Sequence, residues 1–121
     1  MVDYSLGKIY CIYNKDNKNI YIGSTSQLNY RKRFNRHDER MKLGEQTGSK
    51  GDIYNTLNYK YIVLEEYPCK ERKSLLKREQ YYMDTATDMK EFILTNYNRC
   101  YGRNYHYEDD IPKKKLVSLL E

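Results

Sequence analysis

Bulky residues recur at every second position over residues 7–13 (GKIYCIY), a strand-forming pattern. Residues 14–19 (NKDNKN) are polar throughout, and residues 19–24 (NIYIGS) resume the strand pattern. The two strands and their short polar loop predict a β-hairpin, with Asp16-Asn17 at the turn because both tolerate left-handed backbone. Ser24, Thr25 and Ser26 offer N-caps for a helix over about 27–43. After a loop with three glycines, residues 52–58 read as a short helix. Residues 60–67 (KYIVLEEY) read as a third strand that Pro68 ends. A second long helix is expected over about 70–84, then a polar break at 85–88 and another short helix over 89–94. Residues 95–107 are irregular and rich in Asn and Tyr. Asp109 and Asp110 before Pro112 start a last helix whose apolar part is LVSLL. The order predicts a small α/β (α+β) domain with a three-stranded, mainly antiparallel sheet flanked by helices, plus a short C-terminal helix. Residues 1–108 form the domain in this reading, and 109–121 a helical extension.

Composition narrows the class. At 121 residues there is room for one domain. With no Trp and two Phe against fifteen Tyr, the core must come from Tyr, Ile and Leu. No apolar run is long enough to span a membrane, and the first residues lack a signal-peptide pattern. Cys11, Cys69 and Cys100 are odd in number, widely spaced and without a C-x-x-C pair, which favours reduced thiols and an intracellular setting. The net charge of +5 suits a polyanionic partner, although AT-rich coding would also enrich Lys, Asn, Ile and Tyr.

Strand alternation places Tyr10 on one face of the first strand, and Tyr21 with Gly23 on one face of the second. With the isoleucines packed inward, the two tyrosines stand together, and Gly23 leaves the backbone open to close approach. Paired tyrosines are also ordinary cross-strand packing. On the first helix, Arg33 and His37 lie four apart on one face, beside Phe34 and Met41 as core anchors. Arg31, Lys32, Arg36 and Arg40 spread round the rest, either as a solvated basic face or as a surface that tracks phosphates. At about 100° per residue, Leu75, Leu76, Tyr82 and Met83 surround Glu79 on the second helix. A carboxylate centred in an apolar stripe needs a partner. That partner is either a cation such as Arg33 or a hard divalent ion such as Mg²⁺.

Gly7-Lys8-Ile9-Tyr10, ten further residues, then Tyr21-Ile22-Gly23-Ser24-Thr25 resemble the signature of the GIY-YIG nuclease superfamily. The segment 28–37 is similar to its first helix, 77–82 to its metal-binding helix, and 95–98 to the segment that supplies an Asn. The first tripeptide is Lys8-Ile9-Tyr10, with the glycine one place early. No zinc finger, helix-turn-helix or other separate DNA-recognition domain follows.

The resemblance implies a metal-dependent DNA endonuclease that hydrolyses phosphodiesters at a single Mg²⁺-assisted site, with Mn²⁺ able to substitute. Tyr10 would be the general base or orient the water, Glu79 would hold the metal, and Arg33 would bind the scissile phosphate. Tyr21 and His37 would position phosphate and water. Asn96 would orient Glu79 or hold the loop beside it, and Gly23 would be structural. Arg33 is preferred to Arg31 because His37 follows it four residues on, and Asn96 to Asn98 because it follows the FILT segment. DNA is the expected partner, with no membrane. A double-strand cut would need a homodimer or two visits. The competing reading is a non-catalytic nucleic-acid-binding module built on the basic helix and the tyrosines, for which Glu79 has no use.

Overall fold

The structure, a computed structural model, describes residues 2–42, 53, 58–96, 99–102 and 109–120. Within the first helix, the side chains of residues 33, 37, 38 and 40–42 lie outside that description. The hairpin consists of β1 (Lys8–Asn14) and β2 (Asn19–Thr25), paired antiparallel with Tyr10 opposite Gly23 and Ile12 opposite Tyr21. β3 (Tyr59–Glu66) pairs antiparallel with the other edge of β1. A fourth strand, β4 (Ile93–Leu94), runs parallel to β2, so the sheet order is β3-β1-β2-β4. Among the described residues the sheet therefore has four strands where the pattern predicted three.

The hairpin turn is organised by Asn14, which is fully buried. Its Oδ1 accepts from Asp16 N at 2.8 Å and Asn17 N at 3.3 Å, while its Nδ2 donates to Ile53 O at 2.7 Å. The left-handed residue is Lys18 (φ 62°), not Asp16 or Asn17. Asn14 already satisfies the turn amides, which moves the reversal one residue on.

α1 (Tyr30–Lys42) begins three residues later than expected. Ser24 and Thr25 are used by β2, and Thr25 Oγ1 accepts from Gln27 N at 3.2 Å in a turn ahead of the helix. α2 (Arg72–Met89) runs through the expected break at 85–88. Thr85 and Thr87 each donate a hydroxyl to the carbonyl four residues back, at 2.8 and 3.0 Å, and Ala86 is fully buried. The threonines thus bond within the helix instead of ending it. Lys90 in left-handed conformation (φ 59°) ends α2. The short helix expected over 89–94 is absent: Ile93 N and Thr95 N donate to Lys18 O and Ile20 O, both at 2.9 Å, on the edge of β2. Of the helix expected over 52–58, only Ile53 and Asn58 lie among the described residues.

The sheet is covered on both faces, which is why every residue of β1 is buried. Ile9, Cys11, Tyr13, Ile20 and Ile22 pack under α2 and under α3 (Ile111–Leu120), which contributes Leu116 and Leu120. The C-terminal helix is thus part of the principal core. Tyr10 and Ile12 face α1 with Phe34 and Ile53. Phe34 stacks on Tyr61 at 4.7 Å and meets Tyr10 and Tyr30 edge-on at 5.3 and 5.5 Å, anchoring α1. Met41, the other expected anchor, lies outside the described side chains. Cys11, Cys69 and Cys100 are free thiols. Among the described residues no helix is long and apolar enough to cross a membrane.

Arg78, 2% exposed, ties these layers together. Its Nε and Nη2 each donate to Glu65 at 2.9 Å, and Nη1 and Nη2 reach Asp109 at 3.0 and 3.2 Å. The guanidinium carbon sits 5.2 to 5.9 Å from the rings of Tyr67, Tyr81 and Tyr82. Tyr82 donates to Glu65 at 3.1 Å, and Tyr81 donates to the Asp109 carbonyl. Burial works against the charged guanidinium, but its bonds to Asp109 and Glu65 win and hold its pKa above the ordinary value. A bulge delivers Glu65 to it. Ile9 pairs with Glu65 and Tyr10 with Val63, so Leu64 is extra, and both Leu64 and Glu65 turn toward α2.

Replacing Arg78 with Ala should leave Glu65 half-buried without its cation and cost about 3–5 kcal/mol, read from chemical denaturation. Arg78→Lys should recover only part of this, because an ammonium cannot make two forked contacts.

Candidate active site

β4 pairs with β2 only at Asn19 and Ile20. The Asn96 side chain extends that pairing by one residue: its Nδ2 donates to Ile22 O at 2.8 Å, and its Oδ1 accepts from Ile22 N at 3.0 Å. Past Ile22 the strand borders an open cleft of about 340 Å³. One wall is Gly23, Ser24, Thr25 and Ser26. The other is α2, which presents Arg72, Leu75, Leu76 and Glu79, a single face at helical spacing. Tyr10 and Tyr21 also line it.

Tyr10 reaches the cleft across Gly23. A Cβ on Gly23 would lie 2.5 Å from Tyr10 Cζ and 2.6 Å from its hydroxyl oxygen. The phenol therefore lies over the bare glycine backbone with its hydroxyl carried along that strand. The large group that Gly23 admits is the chain's own Tyr10. Gly7 has a parallel reason: a Cβ there would lie 2.6 Å from the Tyr67 carbonyl oxygen, so the crossing of Tyr67 requires glycine.

Tyr10 and Tyr21 belong to the sheet face that α1 covers, whereas Glu79 comes from α2 on the opposite face. The site forms round the end of β2, where the two sides meet. Glu79 is 8% exposed and, among the described residues, forms no ion pair. The Cys100 thiol lies beside it and donates to Leu76 O at 3.3 Å. Burial, and after it the Glu79 carboxylate, push that thiol above its usual range, so it stays protonated. Gln80, 1% exposed, holds the segment in place: its Oε1 accepts from Cys100 N at 2.8 Å and its Nε2 donates to Asp84, which Arg99 clamps at 2.8 and 3.1 Å.

Of the other expected site residues, Arg33, His37 and Arg40 have helical backbone in α1, with side chains outside the description. Arg31, Lys32 and Arg36 are exposed on that helix. Asn98 is outside the described residues. The Asn96 amide is engaged with Ile22 and forms no bond to Glu79. The sequence reading passed over Arg72, Ser24 and Ser26 as cleft residues, and Arg78 and Gln80 as the residues that fix α2. Arg72 was within reach of the same helical stripe that singled out Glu79.

Among the described residues no group of three His, Cys, Asp or Glu side chains forms a metal cage. One nearly buried carboxylate on an open cleft suits Mg²⁺, which takes one or two carboxylates and leaves its other positions to water and phosphate oxygens.

Gly23→Ala should force the Tyr10 phenol aside and destabilise the domain by about 1–3 kcal/mol in chemical denaturation. The displaced ring should lose its edge contact with Phe34, read from nuclear Overhauser effects between the two rings.

A family model described as the GIY-YIG catalytic domain matches residues 6–91, the span that holds the hairpin, α1, β3 and all of α2. No curated protein and no solved structure matches the chain significantly. The match covers well over half the chain, and a nuclease-type function with DNA as the substrate class accompanies it. The chain, whose two hairpin tyrosines and α2 glutamate line one cleft, belongs to the GIY-YIG family.

Proposed function

We propose that the cleft is the active site of a Mg²⁺-dependent DNA endonuclease. The observation that carries this reading is the convergence of Tyr10, Tyr21 and Glu79, from three separate elements, on one open cleft. Phosphodiester hydrolysis needs an activated water, charge stabilisation at phosphorus and help for the leaving group. The Tyr10 hydroxyl, carried over Gly23, serves as general base or orients the attacking water. Tyr21 positions the phosphate from the next strand. Arg33 binds the scissile phosphate with its planar fork, and His37, one turn on, orients water. Glu79 would hold the metal, for which Mn²⁺ would substitute. The chemistry Mg²⁺ supplies when bound is stabilisation of the leaving 3′ oxygen. Asn96 acts by holding the 95–96 segment against β2. Arg31, Lys32, Arg36 and Arg40 track the DNA backbone along α1. One site cuts one strand, so a double-strand cut takes two visits or a homodimer. Glu79 in the cleft wall counts against a purely binding role, since a fixed carboxylate there repels phosphate unless a cation is bound.

Supercoiled plasmid should be nicked in Mg²⁺ and left intact in EDTA. Glu79→Gln keeps the shape but removes the anionic ligand, so nicking should fall by orders of magnitude while DNA binding persists. Nicking that continues unchanged in either condition would overturn the assignment.

The two kinds of cation on α1 should separate kinetically. Neutralising Arg31, Lys32, Arg36 or Arg40 singly should lower the salt slope of binding by about one, with turnover of bound DNA nearly unchanged. Arg33→Ala should lose turnover of bound DNA far more than affinity, about 10²-fold or more, because its bonds strengthen as charge builds in the transition state. Single-turnover rates and affinities measured against salt distinguish the two behaviours.

A further inference from the structure

The cleft is longer than one phosphate requires. α2 lines it from Arg72 to Glu79, about 10 Å of helix axis at roughly 1.5 Å per residue. A DNA strand rises only ~3.4 Å per nucleotide along the duplex axis, so a wall of that length has room for more than one phosphate. Its two ends differ in sign. Glu79 at one end suits a cation, and Arg72 at the other suits an anion. Leu75, 4% exposed, and Leu76 lie between them and make that stretch of the wall apolar.

Arg72 differs from the chain's other cleft-side and α2-side arginines. Arg78 is held by Glu65 and Asp109, and Arg99 by Asp84, each through forked contacts. Arg72 is exposed and makes no hydrogen bond or ion pair among the described residues, including none to its neighbour Glu71. On the opposite wall, Ser24 and Ser26 line the cleft with hydroxyls that likewise bond to none of the described residues. Thr25 between them is different: its hydroxyl is taken by the Gln27 amide. The cleft lining therefore includes a planar guanidinium fork and two hydroxyls that no described residue engages, the donor set that binds a phosphate monoanion.

We propose that Arg72, with Ser24 and Ser26, forms a second phosphate subsite that grips a phosphate flanking the scissile one on the strand being cut. This inference rests on the nuclease reading of the same cleft and deepens it: the strand is gripped at a phosphate beside the scissile one. Arg72 is a positioning residue. It holds the strand so that the scissile phosphate stands at Tyr10 and Glu79, and it takes no part in bond breaking. A substrate ending at the scissile phosphate forfeits this grip.

The test uses a labelled duplex in which a principal nick has been mapped, with each phosphate near the nick replaced in turn by an uncharged methylphosphonate. Affinity in EDTA and single-turnover nicking in Mg²⁺ are measured for the wild type, Arg72→Ala and Arg72→Lys. The wild type should lose about tenfold or more in affinity at one flanking position, the size of a charge-assisted contact. Arg72→Ala should show the same loss on unmodified DNA and no further loss at that position. Arg72→Lys should recover part of it, since it keeps the charge and loses the fork. If Arg72→Ala responds to methylphosphonates as the wild type does at every position, and only its salt slope falls, Arg72 is a general surface cation and the subsite does not exist. If no nick can be mapped in any duplex the wild type binds in Mg²⁺, the nuclease reading is refuted, and the affinity series in EDTA, run over every phosphate of a bound duplex, still decides the subsite.

Discussion

The Arg78 guanidinium, buried between two carboxylates and three phenol rings, sets the rotation of α2. Its fork fixes direction as well as distance: Glu65 lies on β3, and Asp109 stands at the start of α3. The next residue in the chain is Glu79. A helix turns about 100° between neighbours, so locking Arg78 toward β3 and α3 aims Glu79 at the far side of β2, where the cleft lies. A loosened Arg78 would let α2 roll on its apolar stripe of Leu75, Tyr82, Met83 and Ala86, which by itself specifies a face but not an angle. An apolar replacement of the whole cluster could be as stable, since burying charge is costly. It would not carry the same directional information.

The second constraint is a shortage of strand. β4 supplies two residues, and Asn96 adds an amide that imitates one more. The remaining edge of β2 is left to the cleft. Leaving a sheet edge unpaired is ordinarily a liability. Here it is where the two sides of the sheet communicate. Tyr10 arrives from the α1 side over Gly23, and Glu79 from the α2 side, held beside Cys100 by the Gln80 clamp.

The C-terminal helix enters the same economy of contacts. Leu116 and Leu120 fill the core beneath β1 and β3, and Asp109 completes the Arg78 cluster. The segment matched by the family, 6–91, thus owes part of the setting of α2 to residues beyond its end. Positive charge is arranged differently. Arg31, Lys32 and Arg36 are exposed on α1, which Phe34 pins to the sheet through Tyr61 and Tyr10. The exposed cations of α1 and the Tyr10 phenol are therefore mounted on one aromatic cluster.

Local pattern was enough to place the hairpin, the third strand, the long helices and the last helix, because alternation at two and periodicity near 3.6 depend only on near neighbours. It also marked Tyr10, Tyr21, Gly23 and Glu79, since a glycine in a strand and a carboxylate in an apolar stripe are both locally incongruous. It misjudged residues whose state is decided by distant partners. Thr85 and Thr87 read as a break, but Ala86 between them is buried in the core and α2 continues through. Residues 93–94 read as helix, yet the free amide and carbonyl groups of β2 made them a strand. Arg78 read as one more cation, because Glu65 and Asp109 are thirteen and thirty-one residues away. That the site wraps round the end of β2, instead of lying on one face, followed from the length of β4 and the bulge at Leu64. Both depend on strand pairing, which tertiary structure alone decides.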